Sequence, residues 1–304
     1  MKDLLERLIK RNIPLTKNGN VANYIPELDK APKEALGIYI IDNEGNENWA
    51  GNCQEKFTIQ SISKIISLML AILDNGEDYV FSKVGMEPTG DPFYSIKKLE
   101  TPENSKPHNP LINAGAIAIS SMIKGGDTRE KFQRLLDFTR KIAEDETLDV
   151  NYKIYCGESE TGDRNRAIAY FLKSEGTLNG NVDGALEVYF KQCSIDVTAK
   201  SLAKIALFLA NEGKTSTGEE VISRRIATIV KTLMVTCGMY DSSGEFAVKV
   251  GVPSKSGVGG GILSVVPGKM GIGVYGPSLD KKGNSIGGIA TLEDLSRELK
   301  LSIF

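Results

Sequence analysis

Ser61 and Lys64 stand three positions apart at the start of a strongly apolar stretch, within the sequence Gln60-Ser61-Ile62-Ser63-Lys64-Ile65-Ile66. Residues with this spacing lie on one face of a helix, so the lysine amine could take the proton of the serine hydroxyl. The chain contains a single histidine, His108. A serine nucleophile therefore has few bases to choose from, and a nearby lysine is the natural candidate.

The Ser-x-x-Lys spacing by itself is weak evidence, because the chain contains five copies of it. They begin at Ser61, Ser95, Ser121, Ser201 and Ser278. The copies at Ser95 and Ser278 lie in polar loops. Those at Ser121 and Ser201 lie within predicted helices, where a serine hydroxyl can bond back to a carbonyl. Only the first copy follows an extended run and opens an apolar helix, whose N-terminal amides favour negative charge. The alternative is that this serine simply caps the helix.

The environment of Lys64 favours a role as a base. Ile62, Ile65 and Ile66 surround it in the sequence. We expect burial among these side chains to lower the pKa of the amine towards a useful range. The alternative is a solvated lysine whose pKa is the ordinary value of about 10.4.

Lys255-Ser256-Gly257 is a second candidate element, and Val258 and three glycines follow it directly. A strand beginning there would place a cation and then backbone amides along one edge of a cleft, and the glycines would let a substrate approach the main chain. The amides of Ser61 and Val258 could together form an oxyanion hole. A phosphate-binding loop is a poor alternative because no Gly-Lys-Ser/Thr follows. An ordinary turn is the simpler alternative.

Composition excludes several classes of protein. The 304 residues are 41% apolar and 25% charged, with a net charge of −2 and no block of basic residues. Nucleic acid and anionic membranes are therefore not expected partners. The first twelve residues mix charges among leucines, unlike a secretory signal, and no apolar window is long enough to span a bilayer. We expect a cytoplasmic protein.

The cysteines do not suggest a metal centre. Cys53, Cys156, Cys193 and Cys237 are far apart and form no Cys-x-x-Cys pair. Neither a zinc site nor a disulfide framework is predicted, and we expect buried reduced thiols.

Hydrophobic patterns predict strands near both ends of the chain and helices between them. The predicted strands are Leu36–Asp42, Glu47–Ala50, Glu245–Val250, Gly261–Val266 and Gly271–Tyr275. The predicted helices are residues 1–12, Ser61–Leu73, Ile112–Ile123, Thr128–Glu146, Arg164–Ser174, Gly184–Gln192, Ala199–Asn211, Ser223–Val235 and Leu292–Leu301, and the clearest loops are Met86–Asp91 and Thr101–Pro110.

This order of elements predicts an α+β fold. The distant strands must meet in one sheet, and tight turns between neighbours imply antiparallel pairing. We expect residues 1–80 together with 240–304 to form a sheet lobe flanked by helices. Residues 81–239 would form a second, mostly helical lobe, with the active site in the cleft between the two.

An early Ser-x-x-Lys and a late Lys-Ser-Gly resemble the active-serine motifs of β-lactamases and penicillin-binding proteins. The third motif of those proteins, Ser-Asp-Asn, is absent. The chain therefore resembles a branch of the β-lactamase/DD-peptidase-like fold that acts on a different substrate.

Seven stretches resemble the serine-dependent glutaminases, and they occur in family order from about Tyr24 to the C-terminus. They are Asn23-Tyr24-Ile25-Pro26, Gln60-Ser61-Ile62-Ser63-Lys64, Pro107-His108-Asn109-Pro110-Leu111-Ile112-Asn113-Ala114-Gly115-Ala116-Ile117, Glu160-Thr161-Gly162-Asp163-Arg164-Asn165, Tyr189-Phe190-Lys191-Gln192-Cys193-Ser194, Cys237-Gly238-Met239-Tyr240-Asp241 and Lys255-Ser256-Gly257-Val258. The likeness is to the short bacterial form of the family.

The resemblance implies hydrolysis of L-glutamine to L-glutamate and ammonia, with no metal and no organic cofactor. It implies that Ser61 is the nucleophile, that Lys64 activates it, and that Tyr240 contacts substrate and can shuttle a proton. It also implies that the amides of Ser61 and Val258 form the oxyanion hole, and that the protein is a homodimer or homotetramer. The implied substrate-binding residues are Tyr24, Ser61, Asn113, Glu158, Asn165, Tyr189, Tyr240 and Val258.

The implied residue types suit an amino-acid substrate, because a carboxylate can pair with an α-ammonium and amides or hydroxyls can bind an α-carboxylate. The residues alone leave alternatives open. The sequence does not choose between Glu158 and Glu160. Asn113 could be a helix cap, Asn165 a turn residue and Tyr189 part of the core.

Three competing functions remain for comparison. A penicillin-recognising hydrolase would be expected to carry a secretion signal and Ser-Asp-Asn. A catalytically silent binding module of the same fold would be expected to have lost Ser61, Lys64 or Tyr240. A Ser-His-Asp hydrolase would have to use His108, which lies between prolines in a predicted loop.

Overall fold

The computed structural model describes residues 1–96 and 106–304. Half of the predicted loop Thr101–Pro110 and the lysine of the Ser95 motif, Lys98, therefore lie outside the described residues. The helices are α1 (Lys2–Asn12), α2 (Ser63–Asn75), α3 (Glu77–Lys83), α4 (Asn113–Met122), α5 (Thr128–Ala143), α6 (Tyr152–Glu160), α7 (Asp163–Ser174), α8 (Val182–Cys193), α9 (Ala199–Ala210), α10 (Arg224–Cys237), α11 (Ser243–Lys249) and α12 (Ile286–Leu299).

The strands form one five-stranded antiparallel sheet and one short pair. They are β1 (Gly37–Asp42), β2 (Glu47–Gly51), β3 (Phe57–Thr58), β4 (Asp196–Val197), β5 (Ser254–Ser256), β6 (Gly261–Val266) and β7 (Met270–Tyr275). The large sheet has the order β2-β1-β7-β6-β5, and β3 pairs with β4. The N-terminal hairpin thus joins the C-terminal strands through β1 and β7, which confirms the prediction that the two ends of the chain share one sheet.

The sheet is covered by helices on both faces because its side chains alternate between them. Ile38 and Ile40 of β1 pack in an apolar cluster with residues of α1 and α12. Tyr39 and Ile41 point the other way, into the larger cluster that includes α9 and the helices beyond it. The α+β fold with an antiparallel sheet is confirmed.

Two glycines of β7 let α9 approach the sheet closely. A Cβ at Gly271 would lie 2.1 Å from the Ala203 carbonyl oxygen, and one at Gly273 would lie 1.9 Å from the Ala199 carbonyl oxygen. The helix backbone therefore rests directly on the strand, and the space for a side chain is absent.

The prediction of a strand at Glu245–Val250 is wrong, because Ser243–Lys249 is the helix α11. The β-forming residues Phe246, Val248 and Val250 suggested a strand, but Val248 is 89% exposed while the other two are buried. The buried pair has the four-residue spacing of one helix face, and Glu245 forms an ion pair with Lys249 at the same spacing.

The predicted helices are otherwise present, with ends that move by a few residues. The largest change is at the C-terminus, where α12 begins at Ile286 rather than Leu292. Two short helices, α3 and α6, were missed. Among the described residues, no helix is long and apolar enough to cross a membrane.

We expect Gly273→Ala to destabilise the protein by at least about 1–3 kcal/mol, because the new methyl group would overpack against α9. The measurement is the free energy of unfolding from urea denaturation. Gly244→Ala is the matched control, since Gly244 is exposed in α11 with open space around its Cα. Alanine should stabilise that helix by at most about 1 kcal/mol. Equal stability of both variants would show that α9 can move away from β7 at no cost.

Candidate active site

Ser61 lies in a tight 3-10 turn, Gln60–Ile62, that directly precedes α2. The turn begins with Gln60 in the left-handed region at φ 49°. A non-glycine residue there costs about 1–2 kcal/mol, so the surrounding structure must hold it. The alternative that Ser61 caps the helix is wrong, because the cap position of α2 is Ile62 and carries no side-chain capping bond.

Lys64 lies one turn further on and is completely buried. Its amine donates to the Leu111 carbonyl at 3.2 Å and to the side-chain oxygen of Asn113 at 2.7 Å. Burial lowers the pKa of Lys64 from 10.5 to about 8, although the charge of Glu158 opposes the shift. A neutral amine has two N–H groups and one lone pair. The two acceptors use both N–H groups and leave the lone pair for a proton.

The side-chain hydroxyl of Tyr240 also approaches Ser61. The backbone of this tyrosine is left-handed, with φ 53°, at the start of the 3-10 turn Tyr240–Ser242 before α11. The hydroxyl donates to the Ser256 carbonyl at 3.2 Å and lies within hydrogen-bonding reach of the Ser61 hydroxyl. Burial raises the pKa of Tyr240, whereas the bond with Ser61 lowers it. The phenol therefore stays protonated at neutral pH.

Lys255 lies behind Tyr240 on the edge strand β5. Its amine donates to the carbonyls of Gly238 at 3.1 Å and Ser256 at 2.6 Å. The nitrogen also lies 4.4 Å from the centre of the Tyr240 ring. Burial, and then the charge of Lys64, lower the pKa of Lys255 well below its usual range. The predicted strand and its lysine are thus present beside Tyr240.

Val258 follows β5 in a turn that packs against the segment leading to Ser61. A Cβ at Gly257 would lie 2.8 Å from the Ile59 carbonyl oxygen, and one at Gly259 would lie 2.4 Å from that of Thr58. Glycine is therefore required on both sides of Val258 for the two segments to approach. This approach brings the main chain of Val258 to the same cavity as Ser61.

A cavity of about 310 Å³ opens in front of Ser61. Its volume lies at the lower end of the range of about 300–1,000 Å³ for small-molecule sites. It is lined by Tyr24, Gln60, Ser61, Phe93, Tyr94, Asn113, Glu158, Arg164, Asn165, Tyr189, Cys193 and Val258. The structure thus brings the predicted substrate-binding residues together around one cavity, except for Tyr240, whose hydroxyl lies within reach of Ser61 but does not line the cavity.

Among the residues of 1–96 and 106–304 that line this cavity, Glu158 is the only carboxylate. It accepts a hydrogen bond from the Tyr24 hydroxyl at 3.1 Å, and that hydroxyl also lies 3.3 Å from the side-chain oxygen of Gln60. Burial raises the pKa of Glu158, while the bonds with Tyr24 and Gln60 and the charge of Lys64 oppose the shift. Glu160 is exposed and does not line the cavity, so Glu158 is the one of the two carboxylates that lies at the cavity wall.

Asn113 links the buried lysine to the cavity. Its oxygen accepts from Lys64, and its amide nitrogen donates to the side-chain oxygen of Asn165 at 3.1 Å. Asn113 is not a helix cap, because Ile112 holds the cap position of α4. Asn165 lies inside α7 rather than in a turn. Tyr189 is buried in the apolar core and also reaches the cavity wall.

Sequence reasoning missed several residues of the site: Gln60, Phe93, Tyr94, Arg164 and Cys193. Gln60 could have been suspected because it precedes Ser61. The ring of Phe93 stacks on Tyr240 with centres 4.7 Å apart, and Arg164 donates to the Tyr94 carbonyl at 2.8 Å. Nothing in the loop that carries the two aromatic residues marks them in the sequence.

The titratable residues do not form a metal centre within residues 1–96 and 106–304. In this part of the chain no group of three or more His, Cys, Asp or Glu side chains is placed to hold a metal ion. The four cysteines are free thiols. Burial raises the pKa of Cys193 at the cavity wall to about 12, so its thiol is neutral.

Known proteins resemble this chain over its whole length. The model of the glutaminase family matches residues 19–304. A glutaminase of Fusobacterium nucleatum subsp. nucleatum is 69% identical over 304 residues, which is 100% of both chains. The crystal structure of a probable glutaminase from Bacillus subtilis has a TM-score of 0.94 at 39% identity and covers 100% of this chain and 97% of that chain.

A further similar structure carries a bound molecule. It is the covalent complex between a Bacillus subtilis glutaminase and 5-oxo-L-norleucine, formed by reaction of that protein with 6-diazo-5-oxo-L-norleucine. Its TM-score is 0.92 at 38% identity, and the match covers 100% of this chain and 99% of that chain.

The buried amine of Lys64 predicts a pH dependence of stability. Its pKa is about 8 in the folded chain against an ordinary 10.5, so the unfolded chain binds more protons between these values. Stability should therefore rise with pH through this window, by about 3 kcal/mol relative to Lys64→Met, and the difference should be constant below about pH 8.

The measurement is the free energy of unfolding from urea denaturation at several pH values from 7 to 10.5. Lys153→Met replaces an exposed lysine of α6 and should follow the wild type within about 0.5 kcal/mol. If Lys64→Met and the wild type changed in parallel across the whole range, the amine of Lys64 would titrate in the same way in the folded and unfolded chains.

Proposed function

The chain belongs to the glutaminase family and hydrolyses L-glutamine to L-glutamate and ammonia, and we propose that it does so through a glutamyl ester on Ser61. The observation that carries this proposal is the position of the Ser61 hydroxyl. It lies at the cavity wall, within hydrogen-bonding reach of Tyr240 and one helical turn before the buried amine of Lys64. The covalent product in the similar Bacillus subtilis enzyme supports a nucleophile in such a cavity.

In the first half-reaction the neutral amine of Lys64 takes the hydroxyl proton, and the Ser61 oxygen attacks the side-chain amide carbon of glutamine. The amides of Ser61 and Val258 stabilise the oxyanion that develops. The carbon–nitrogen bond then breaks. The leaving nitrogen receives the proton held by Lys64, with the protonated Tyr240 hydroxyl as the relay, and departs as ammonia.

In the second half-reaction water attacks the ester carbon and gives its proton to the same Lys64–Tyr240 pair. The ester bond breaks, the proton returns to the Ser61 oxygen, and glutamate leaves. Because every proton taken from a nucleophile is returned to a leaving group, the cycle requires no cofactor.

The cavity wall provides partners for both charged groups of the amino acid. Glu158 is the carboxylate that pairs with the α-ammonium, and the Tyr24 hydroxyl fixes its orientation. Since the Asn165 oxygen already accepts from Asn113, the nitrogen of Asn165 is the atom that donates to the α-carboxylate. Tyr189 closes the apolar side of the cavity, where the methylene groups of the substrate lie.

The site is assembled from distant parts of the chain, which supports the proposed division into lobes. Ser61 and Val258 come from residues 1–80 and 240–304, whereas Asn113, Glu158 and Asn165 come from residues 81–239. We place the cleft between these two parts. The family resemblance supports a cytoplasmic homodimer or homotetramer, and multi-angle light scattering of the purified protein tests the assembly.

Ser61→Ala should lower kcat for ammonia release from L-glutamine by at least about 10⁴-fold, because the nucleophile is lost. Ser121→Ala is the matched control, since Ser121 also begins a Ser-x-x-Lys motif and its hydroxyl bonds the Ala118 carbonyl within α4. The control should retain kcat within about twofold. Turnover by Ser61→Ala at the wild-type rate would remove this serine from the mechanism.

Glu158→Gln should raise KM for L-glutamine by about 10²–10³-fold, because the buried charge that pairs with the α-ammonium is lost. The measurement compares L-glutamine with glutaramate, the same amide without the α-ammonium. The wild type should prefer glutamine, and the variant should lose that preference. Glu160→Gln, two residues away on the exposed side of α6, should keep it. An unchanged preference in Glu158→Gln would assign ammonium recognition to another residue.

A further inference from the structure

Tyr240 has a backbone conformation that its own residue type disfavours. Its φ of 53° lies in the left-handed region, which a bulky aromatic residue rarely adopts. Such a residue remains there only when neighbouring groups hold it. The orientation matters because the same residue carries the hydroxyl that reaches Ser61.

The side chain of Ser243 stabilises the turn at Met239–Tyr240 through two hydrogen bonds. Its oxygen accepts a hydrogen bond from the Met239 amide at 3.1 Å and donates one to the Tyr240 carbonyl at 2.8 Å. One buried hydroxyl therefore ties the peptide group before Met239 to the peptide group after Tyr240. Each of these bonds contributes about 0.5–1.5 kcal/mol, which is comparable with the strain of the left-handed residue.

Asn284 fastens the turn from a different part of the chain. It is fully buried, and its amide nitrogen donates to the Met239 carbonyl at 3.3 Å. The backbone of Asn284 is itself fixed, because its amide donates to a side-chain oxygen of Asp280 at 2.9 Å. The segment Asp280–Asn284, which we call the brace, thus holds the turn at Met239–Tyr240 in place.

The same segment also lies close to the catalytic groups. A Cβ at Gly283 would lie 3.3 Å from a methyl carbon of Val258 and 3.7 Å from a ring carbon of Tyr240. Gly283 adopts φ 89°, a conformation in which a side chain is rarely found. The brace therefore lies against both the tyrosine ring and the side chain of the proposed oxyanion-hole residue.

We propose that Ser243 and Asn284 are positioning residues for catalysis, which hold the backbone of Tyr240 so that its hydroxyl stays against Ser61. This inference rests on the proposed function, because it requires the Tyr240 hydroxyl to take part in the reaction. Neither residue lines the cavity in front of Ser61, so each acts through the tyrosine and not on the substrate.

The effect should appear in kcat more than in KM. A displacement of about 1 Å at a reacting group can lower the rate about 10²-fold. The groups proposed to bind the substrate ammonium, Glu158 and Tyr24, belong to other segments of the chain and bond each other. A loss of overall stability alone would not separate the two constants in this way.

The experiment measures kcat, KM and the thermal midpoint for Tyr240→Phe, Ser243→Ala, Asn284→Ala and Ser296→Ala. The last variant is the matched control, since Ser296 is a buried serine whose hydroxyl donates to the Val250 carbonyl, away from the turn. We expect Ser243→Ala to lose kcat about 10–100-fold with KM within about threefold. Ser296→Ala should lose a similar amount of stability and keep kcat within about twofold.

The variants separate failure of this inference from failure of the proposed function. If Tyr240→Phe loses kcat but Ser243→Ala and Asn284→Ala stay within about twofold of the wild type, the positioning role is wrong and the role of Tyr240 stands. If Tyr240→Phe keeps full kcat, the positioning role and the proposed role of the Tyr240 hydroxyl are both wrong. Should Ser243→Ala fail to fold, Asn284→Ala still tests the positioning role, because it removes a single bond to the turn. It should lower kcat by about 3–10-fold with little change in KM.

Discussion

The active site depends on an amine that is kept out of water with only uncharged partners. Lys64 is held by a carbonyl oxygen of Leu111 and an amide oxygen of Asn113, neither of which carries a charge that would favour the ammonium form. Burial therefore dominates and lowers the pKa of the amine to about 8. An ion pair in the same place would have held the proton firmly, and the serine would have lost its base. The rest of the site is connected to this constraint, because Asn113 both holds the lysine and lines the cavity.

This arrangement is costly, and the fold has to offset it. Two lysines, Lys64 and Lys255, are fully buried, and two residues beside the nucleophile, Gln60 and Tyr240, have left-handed backbones. Each left-handed residue costs of the order of 1–3 kcal/mol, and burial of each amine disfavours its charged form. The compensation comes from the apolar clusters on both faces of the sheet and from the close packing of α9 on the glycines of β7. Strain at the site is therefore supported by regular, densely packed elements around it.

The sequence was most informative where a local pattern implied a local environment. Isoleucines around Lys64 indicated burial, and the strands at both ends of the chain indicated one shared sheet. It was misleading at Glu245–Val250, because alternation and helical spacing coincide over so few residues. Specific contacts between distant segments could not be predicted from the sequence. The approach of Phe93 to Tyr240, the strand order that places β7 between β1 and β6, and the partners of Lys255 depend on tertiary packing. The roles of Glu158 and Tyr240 came from family resemblance, since nothing local distinguishes Glu158 from Glu160.

Substrate recognition and activation of the base are electrostatically linked in this site. The negative charge of Glu158 raises the pKa of Lys64, and the charge of Lys64 lowers that of Glu158, so this carboxylate opposes the larger effect of burial on the lysine. An α-ammonium paired with Glu158, as proposed, offsets that negative charge. The pKa of Lys64 then falls and the neutral amine becomes more abundant, at the moment when an amide carbon lies next to Ser61. A ligand without the ammonium would leave the charge of Glu158 acting on the lysine. The carboxylate would then discriminate between substrates twice, through binding and through the protonation state of the base.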